Sequence, residues 1–249
     1  QQQKEQEPED KLVIVDLEKD KTISFVADKT LTVTSEIVNE SKLENTLSLD
    51  LDIKYANSVV VYKGNCPDAK YKISDRSQYV GNASILTHKG IQYLAINKHY
   101  FHGFTANDKM TFVGKGNAPV VLSISEIGLK HTLVHAREDL VLTQNPKLIS
   151  LSKSFTVDCV RGKKYPNQVS LTFVSDTAPS GVWYSVGHVT GLCMDLTPVT
   201  YNSEEGACGA PVIGQLNRII GIHAATASIF NCFLSFAESH FVDLVNWDF

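Results

Sequence analysis

The sequence predicts an all-β chain, and three observations carry that prediction. Short runs rich in Val, Ile, Tyr, Phe and Thr recur from residue 58 to residue 237. Turn-forming residues separate them every eight to twelve positions, the spacing of a β-sandwich or β-barrel. Helical periodicity is confined to the tail SHFVDLVNW, where residues 241, 244 and 245 are apolar. At 249 residues and 43% apolar content the chain can bury a sizeable core, as one large domain or two small ones.

In chain order, the head QQQKEQEPED is polar and charged without hydrophobic period, and reads as a disordered tail. Alternation in TISFVADKTLTV suggests two strands with a turn at Ala27-Asp28-Lys29. Residues 1–55 are treated as an acidic N-terminal extension. The runs SVVVYKG, ASILTHKGIQYLAI, KMTFVGKG, APVVLSISEIG and DLVLTQ then form a first β unit over 56–150. Within it KHYFHGF is a non-strand turn, and His88 in Thr-His-Lys-Gly is placed in an exposed hairpin turn. Alternation lapses in QNPKLISLSKS, which sets a boundary between Pro146 and Ser154. A second β unit over 151–249 holds QVSLTFVS, GVWYSVGHVTG, APVIG, RIIGIHA and FLSFA, and the tail is expected to end in a short helix.

Charge and cysteine usage remove several function classes. Residues 1–60 carry 7 Lys and 13 acidic residues, a net charge of −6, which leaves +2 for the remainder of a chain whose total is −4. Nothing here advertises nucleic acid as the main partner, and the run VRGKKY at 160–165 reads as a solvated loop. Cys66, Cys159, Cys193, Cys208 and Cys232 are odd in number and irregular in spacing, which points to a reducing compartment. No leader of signal-peptide character opens the sequence, so the sequons at Asn39 and Asn82 are expected to be unmodified. The uncharged stretch Ile219–Ala237 contains His223, Asn231, two serines and a threonine, so it reads as buried strands and no membrane partner is expected. Spacings at His99/His102 and His131/His135 could suit a metal, but HTLVH lacks the Glu of a zincin helix. No metal, no cofactor and no phosphate loop are expected.

The residues able to do chemistry begin with Cys208 in GACGAP. Flanking glycines permit a tight loop whose N–H groups turn inward beside the sulfur, a suitable nest for an acyl-transfer oxyanion. The competing reading is a buried, inert thiol. A thiol nucleophile needs an imidazole to take its proton, and His99, just after a strand end, is the preferred partner over His102 and His88. The ring in turn needs an acid to fix its tautomer. Asp139 opens DLVLTQ with Glu138 immediately before it. Adjacent residues of a strand face opposite ways, so only one of the two can serve; Asp139 is preferred and Glu138 is the alternative.

The order His99, Asp139, Cys208 is that of the chymotrypsin fold. GACGAP resembles the nucleophile loop of that fold with Cys in place of Ser. Paired with GIHAA at 221–225, it resembles the 3C and 3C-like cysteine proteases of picorna-like positive-strand RNA viruses over about residues 57–245. The resemblance implies two six-stranded antiparallel β-barrels. It implies Cys208 as nucleophile, His99 (in LAINKHYF) as general base and Asp139 (in EDLVLT) as the acid. Gly206, Ala207 and Cys208 would present oxyanion-hole amides. His223 would recognise a P1 glutamine, with Ser203 where many members place a hydroxyl on the same amide. The implied activity is endoproteolysis of a viral polyprotein in the host cell cytoplasm, after Gln or Glu and before a small residue; host proteins are further candidate substrates. LISLSKSF is much less basic than the RNA-binding strand connection of many members, which argues against RNA binding. A barrel that captures RNA or protein, with Cys208 structural, is the rival reading.

Overall fold

The computed structural model describes residues 11–16, 21–26, 57–69, 78–114, 116, 118–128, 132–134, 137–174, 182–204, 206–226, 231–242 and 245–246. Strands β1 (Lys11–Asp16) and β2 (Lys21–Val26) form an antiparallel pair with Lys11 opposite Val26 and Asp16 opposite Lys21. The turn expected at Ala27-Asp28-Lys29 lies outside the described residues, as do Asn39, His131 and His135.

The first main sheet uses β3 (Val59–Lys63), β4 (Tyr79–His88), β5 (Ile91–Ile96), β6 (Lys109–Val113), β7 (Val120–Ser123), β8 (Thr132–Val134) and β9 (Val141–Thr143). Its central path is β9-β5-β4-β3-β6-β7, antiparallel at every step, with β8 beyond β9. Strand β4 is long enough to serve two partners: Tyr79–Ala83 pairs β3 and Ser84–His88 pairs β5. Leu122 of β7 and Val141 of β9, from opposite ends of this path, share one core with Val61, Ile85, Leu94 and Phe112. The sheet therefore curls round its own apolar face.

The second sheet is built from β11 (Gln168–Val174), β12 (Val182–His188), β13 (Thr197–Val199), β14 (Pro211–Ile213), β15 (Ile219–Thr226) and β16 (Asn231–Ser235), in the order β12-β11-β14-β15-β16-β13. Its own core gathers Leu171, Phe173, Trp183, Tyr201, Val212, Ile220 and Phe233. Within the uncharged stretch from Ile219, Ile219–Thr226 and Asn231–Ser235 are thus strands, and no helix among the described residues is long and apolar enough to cross a membrane.

A third apolar cluster joins the two sheets. Leu86, Tyr93, Ala95, Leu140 and Leu142 from the first meet Ile219, Ile222, Ala224, Leu234 and Phe236 from the second. This explains the unbroken apolar runs in IQYLAI and RIIGI. On β5, Leu94 and Ile96 point into the first core while Tyr93 and Ala95 point into the junction, so both faces of the strand are buried. The chain crosses between sheets after Leu148 and Leu151, which belong to the first core, through β10 (Phe155–Thr156), parallel to β4.

Three expectations change. APVVLSISEIG is strand only as far as Ser123; helix α1 (Ile124–Ile127) follows because Ser123 and Glu126 form a reciprocal capping box, Ser123 Oγ accepting from the Glu126 N–H (3.1 Å) and Glu126 Oε1 from the Ser123 N–H (2.8 Å). The C-terminal helix is a single 3-10 turn, Glu238–Phe241, after which β17 (Val245–Asn246) pairs with β8. His88 is buried, because Phe241 of that turn stacks on its ring at 4.0 Å. Truncating the junction should be costly: Leu86→Ala is expected to lower stability by about 2–5 kcal/mol, read as a lower urea midpoint with an unchanged slope.

Candidate functional site

The candidate site lies where the two sheets meet. The 3-10 turn Lys98–Phe101 follows β5 directly and carries His99, which is buried. Asp139 sits two residues before β9, the strand that pairs with β5, so pairing brings the two side chains together. The His99 backbone N–H donates to Asp139 Oδ1 at 2.8 Å, and ring Nδ1 lies 2.6 Å from Oδ2. A carboxylate can only accept, so Nδ1 carries a proton and Nε2 is the nitrogen left to act on a neighbour. Asn97 adds a third donor, its Nδ2 reaching Asp139 Oδ2 at 3.1 Å.

Burial pulls the His99 ring toward neutrality, but the Asp139 charge and hydrogen bond, with a hydrogen bond to Cys208, outweigh it and raise its pKa to about 10. Burial likewise pushes Asp139 up, and its bonds from His99 and Asn97 win, leaving it below the ordinary carboxylate value. Glu138 faces away from this pair. It takes Arg161 Nη1 and Nη2 at 2.7 and 2.8 Å and His240 Nε2 at 2.8 Å, and these partners overcome burial to hold it well below the carboxylate range. Arg161 is therefore engaged, while Lys163 and Lys164 of the same basic run are exposed.

Cys208 belongs to the second sheet but is fixed by the first. Its carbonyl accepts the Asn82 N–H (2.9 Å) and lies 2.6 Å from the Tyr100 hydroxyl. Gly206 O accepts from the Tyr79 hydroxyl (2.6 Å) and Asn82 Nδ2 (2.9 Å), and Gly209 O from Ser84 Oγ (2.8 Å). Gly206 and Gly209 both have φ in the left-handed region, +95° and +83°. A Cβ at Gly209 would run into the Asn82 carbonyl, so glycine is required there for close approach. The thiol is 3% exposed by residue and donates to the Ala224 carbonyl at 3.3 Å. Of the loop amides, that of Ala207 is turned to the Glu204 carbonyl at 3.1 Å.

His223 lies on β15 beside this loop: its N–H donates to Ala210 O and its carbonyl accepts from Gly209 N–H, both at 2.9 Å. The ring is fully buried, and burial alone lowers its pKa to about 3, so it is neutral. Nδ1 lies 2.7 Å from the Tyr201 hydroxyl, whereas Nε2 has no partner among the described residues. With the phenol donating to Nδ1, the ring proton sits on Nε2, an unpaired buried donor. Ser203 is buried in the same network: its hydroxyl donates to Asn231 Oδ1 (2.7 Å), and Asn231 Nδ2 donates to the Tyr201 carbonyl (2.5 Å). Its proton is spent there, so it offers a ligand only lone pairs. The structure brings His99, Asp139 and Cys208 together and sets His223 beside the cysteine loop. Tyr201, Asn97 and the clamp of Tyr79, Asn82 and Tyr100 carry no sequence signal of these roles, because each acts through a partner distant in the chain.

No sequence-family model matches the chain, and no curated protein matches it by sequence. Solved structures do. The serine protease of a human pathogenic astrovirus shares 9% identity over 74% of this chain and 92% of its own, with a TM-score of 0.50. The tobacco vein mottling virus protease shares 15% over 80% and 89%, also at 0.50. Tobacco etch virus protease complexed with product shares 13% over 78% and 82%, again at 0.50. At such identities the likeness establishes the fold: two curled antiparallel sheets of the chymotrypsin-like kind.

The buried neutral state of His223 sets a pH dependence. Below pH 6.5 the unfolded chain binds a proton that the native ring refuses until about pH 3, so the His223 contribution to native stability is full above 6.5 and falls as pH drops through that window. Relative to His223→Gln, the wild type should lose up to roughly 1.4 kcal/mol per pH unit there, measured by denaturant unfolding at stepped pH.

Proposed function

We propose that the chain is a chymotrypsin-like cysteine endopeptidase that processes a viral polyprotein in the host cell cytoplasm, cutting after Gln and before a small residue. The observation that carries this reading is the His99 ring, tethered at Nδ1 to the Asp139 carboxylate at 2.6 Å, at the junction where the Cys208 loop docks on the first sheet.

In this reading His99 Nε2 takes the thiol proton, and its raised pKa lets it keep that proton while the thiolate attacks the scissile carbonyl carbon. The amides of Gly206 and Cys208 flank the already bonded Ala207 N–H and hold the tetrahedral oxyanion. His99 then gives its proton to the leaving amine as the C–N bond breaks, and water hydrolyses the thioacyl-enzyme. Asp139 holds the ring orientation and balances the imidazolium.

His223 supports glutamine over glutamate at P1. A neutral ring presents one N–H to the side-chain carbonyl oxygen of an amide, and burial that excludes the imidazolium also disfavours a carboxylate. A pocket built on a buried, otherwise unpaired donor rejects side chains that cannot accept from it by roughly 10⁴-fold. The rival reading, a binding module with a structural Cys208, draws on the thiol's burial and its bond to Ala224 O.

Cleavage of a mixed peptide library, with products identified by mass, separates the two. The endopeptidase cuts after Gln, loses all cleavage in Cys208→Ala and loses Gln preference in His223→Ala; a reduced, folded wild type that cuts nothing and leaves Cys208 unalkylated supports the binding module. The adjacent acids give a second contrast. Asp139→Asn should lower kcat on the order of 10³-fold or more, whereas Glu138→Gln should keep most of the turnover of the folded enzyme, and equal losses in steady-state kinetics would count against the assignment of Asp139.

A further inference from the structure

Away from Cys208, three side chains converge that the proteolytic reading does not use. His88 ends β4, six residues beyond Asn82 and so about 20 Å along the strand from the cysteine loop. Cys159 lies in the passage between the sheets, two residues past the Val157 bridge to Ile219. Glu238 opens the 3-10 turn that follows β16. One ligand atom from each lies within 4.8 Å of the others, and His88 Nε2 is 3.1 Å from Glu238 Oε1.

We propose that His88, Cys159 and Glu238 form a site for a zinc-class divalent cation that fastens the first sheet, the connecting segment and the C-terminal turn to one another. Imidazole, thiolate and carboxylate are a donor set suited to tetrahedral zinc, whose bonds of about 2.0–2.3 Å place neighbouring donor atoms roughly 3.3–3.7 Å apart. The observed nitrogen-to-oxygen separation is close to that edge, and the third donor lies within 4.8 Å of both. The ring is already oriented by its stacking on Phe241 at 4.0 Å and 15°, as a ligating histidine requires. Glu238 has a side chain 60% exposed, which leaves the fourth position open to water.

Lys89, 3.6 Å from Glu238 Oε1 and 73% exposed, is the competing cation and can swing into solvent. Binding breaks the Cys159 S–H bond, forms the metal–sulfur bond and releases the proton to solvent. Two thiolate and carboxylate charges then balance the dication. Sequence spacing could not reveal this set, since its members lie at 88, 159 and 238.

Titration of the reduced protein with Co(II), followed by absorption, tests the site without reference to proteolysis. One equivalent should produce the sulfur-to-cobalt charge-transfer band and tetrahedral visible bands, displaced by Zn(II). The signal should persist in Cys208→Ala, vanish in Cys159→Ser and need roughly tenfold or more Co(II) in Glu238→Gln. No thiolate band in the folded wild type, or a band that survives in Cys159→Ser or disappears in Cys208→Ala, would overturn the proposal. Should Cys159→Ser fail to fold by near-ultraviolet circular dichroism, the exposed Glu238→Gln decides: unchanged affinity there also overturns it.

Discussion

Everything at the candidate site depends on β4 holding a loop that belongs to the other sheet. Tyr79, Asn82 and Ser84 of β4, with Tyr100 from the turn after β5, supply the donors that fix the carbonyls of Gly206, Cys208 and Gly209. Each of these carbonyls is bonded across the junction, so docking of the sheets and shaping of the loop are one event. An apolar contact could have tolerated a shifted registry at modest cost. Buried polar groups left unpaired cost about 1–3 kcal/mol each, so this set accepts few alternatives, and it converts a hydrophobic junction into a geometrically specific one.

The turn at residues 137–140 performs a related task with charge. Glu138 and Asp139 are sequence neighbours that leave the chain in opposite directions, one to Arg161 and His240 of the second half, the other to His99 of the first. Glu138 accepts from the Arg161 guanidinium and lies 2.8 Å from the His240 ring, and so anchors the turn from outside. Asp139 is thereby presented to the imidazole by a segment held on both flanks, with Leu140 packed into the junction core just after it. A carboxylate on a loose loop would orient a ring far less well.

How much of this the sequence disclosed follows the range of each interaction. Strand runs, the turn at KHYFHGF and the placement of Cys208 in a glycine-flanked loop rest on local chemistry, and local pattern carries them. The capping box in SISE was equally local, yet the β-branched run before it masked the helix it starts. Burial of His88 was not legible, since what covers it is Phe241, more than 150 residues away. The same holds for Tyr201 against His223 and for the Asn82 clamp: a tyrosine or asparagine between strands has no pattern that reveals its partner. The offset of Ser203 from the cysteine is legible in sequence, whereas the commitment of its proton to Asn231 is visible only in the structure.

His99 and His223 show how one environment produces two chemistries. Both rings are buried, and burial alone drives an imidazole toward neutrality, as it does at His223, with a pKa near 3. At His99 the same penalty is overturned by a carboxylate 2.6 Å from Nδ1, and the ring is raised to about 10. At His223 the partner at Nδ1 is instead a phenol, which fixes a tautomer without adding charge. The strand β15 that carries His223 also supplies the carbonyl, at Ala224, toward which the Cys208 thiol points. A proton-holding ring and a proton-refusing ring are therefore both built around the Cys208 loop, the first at the sheet junction and the second on the strand that pairs with Gly209 and Ala210. The choice between them is made by the single group placed at Nδ1.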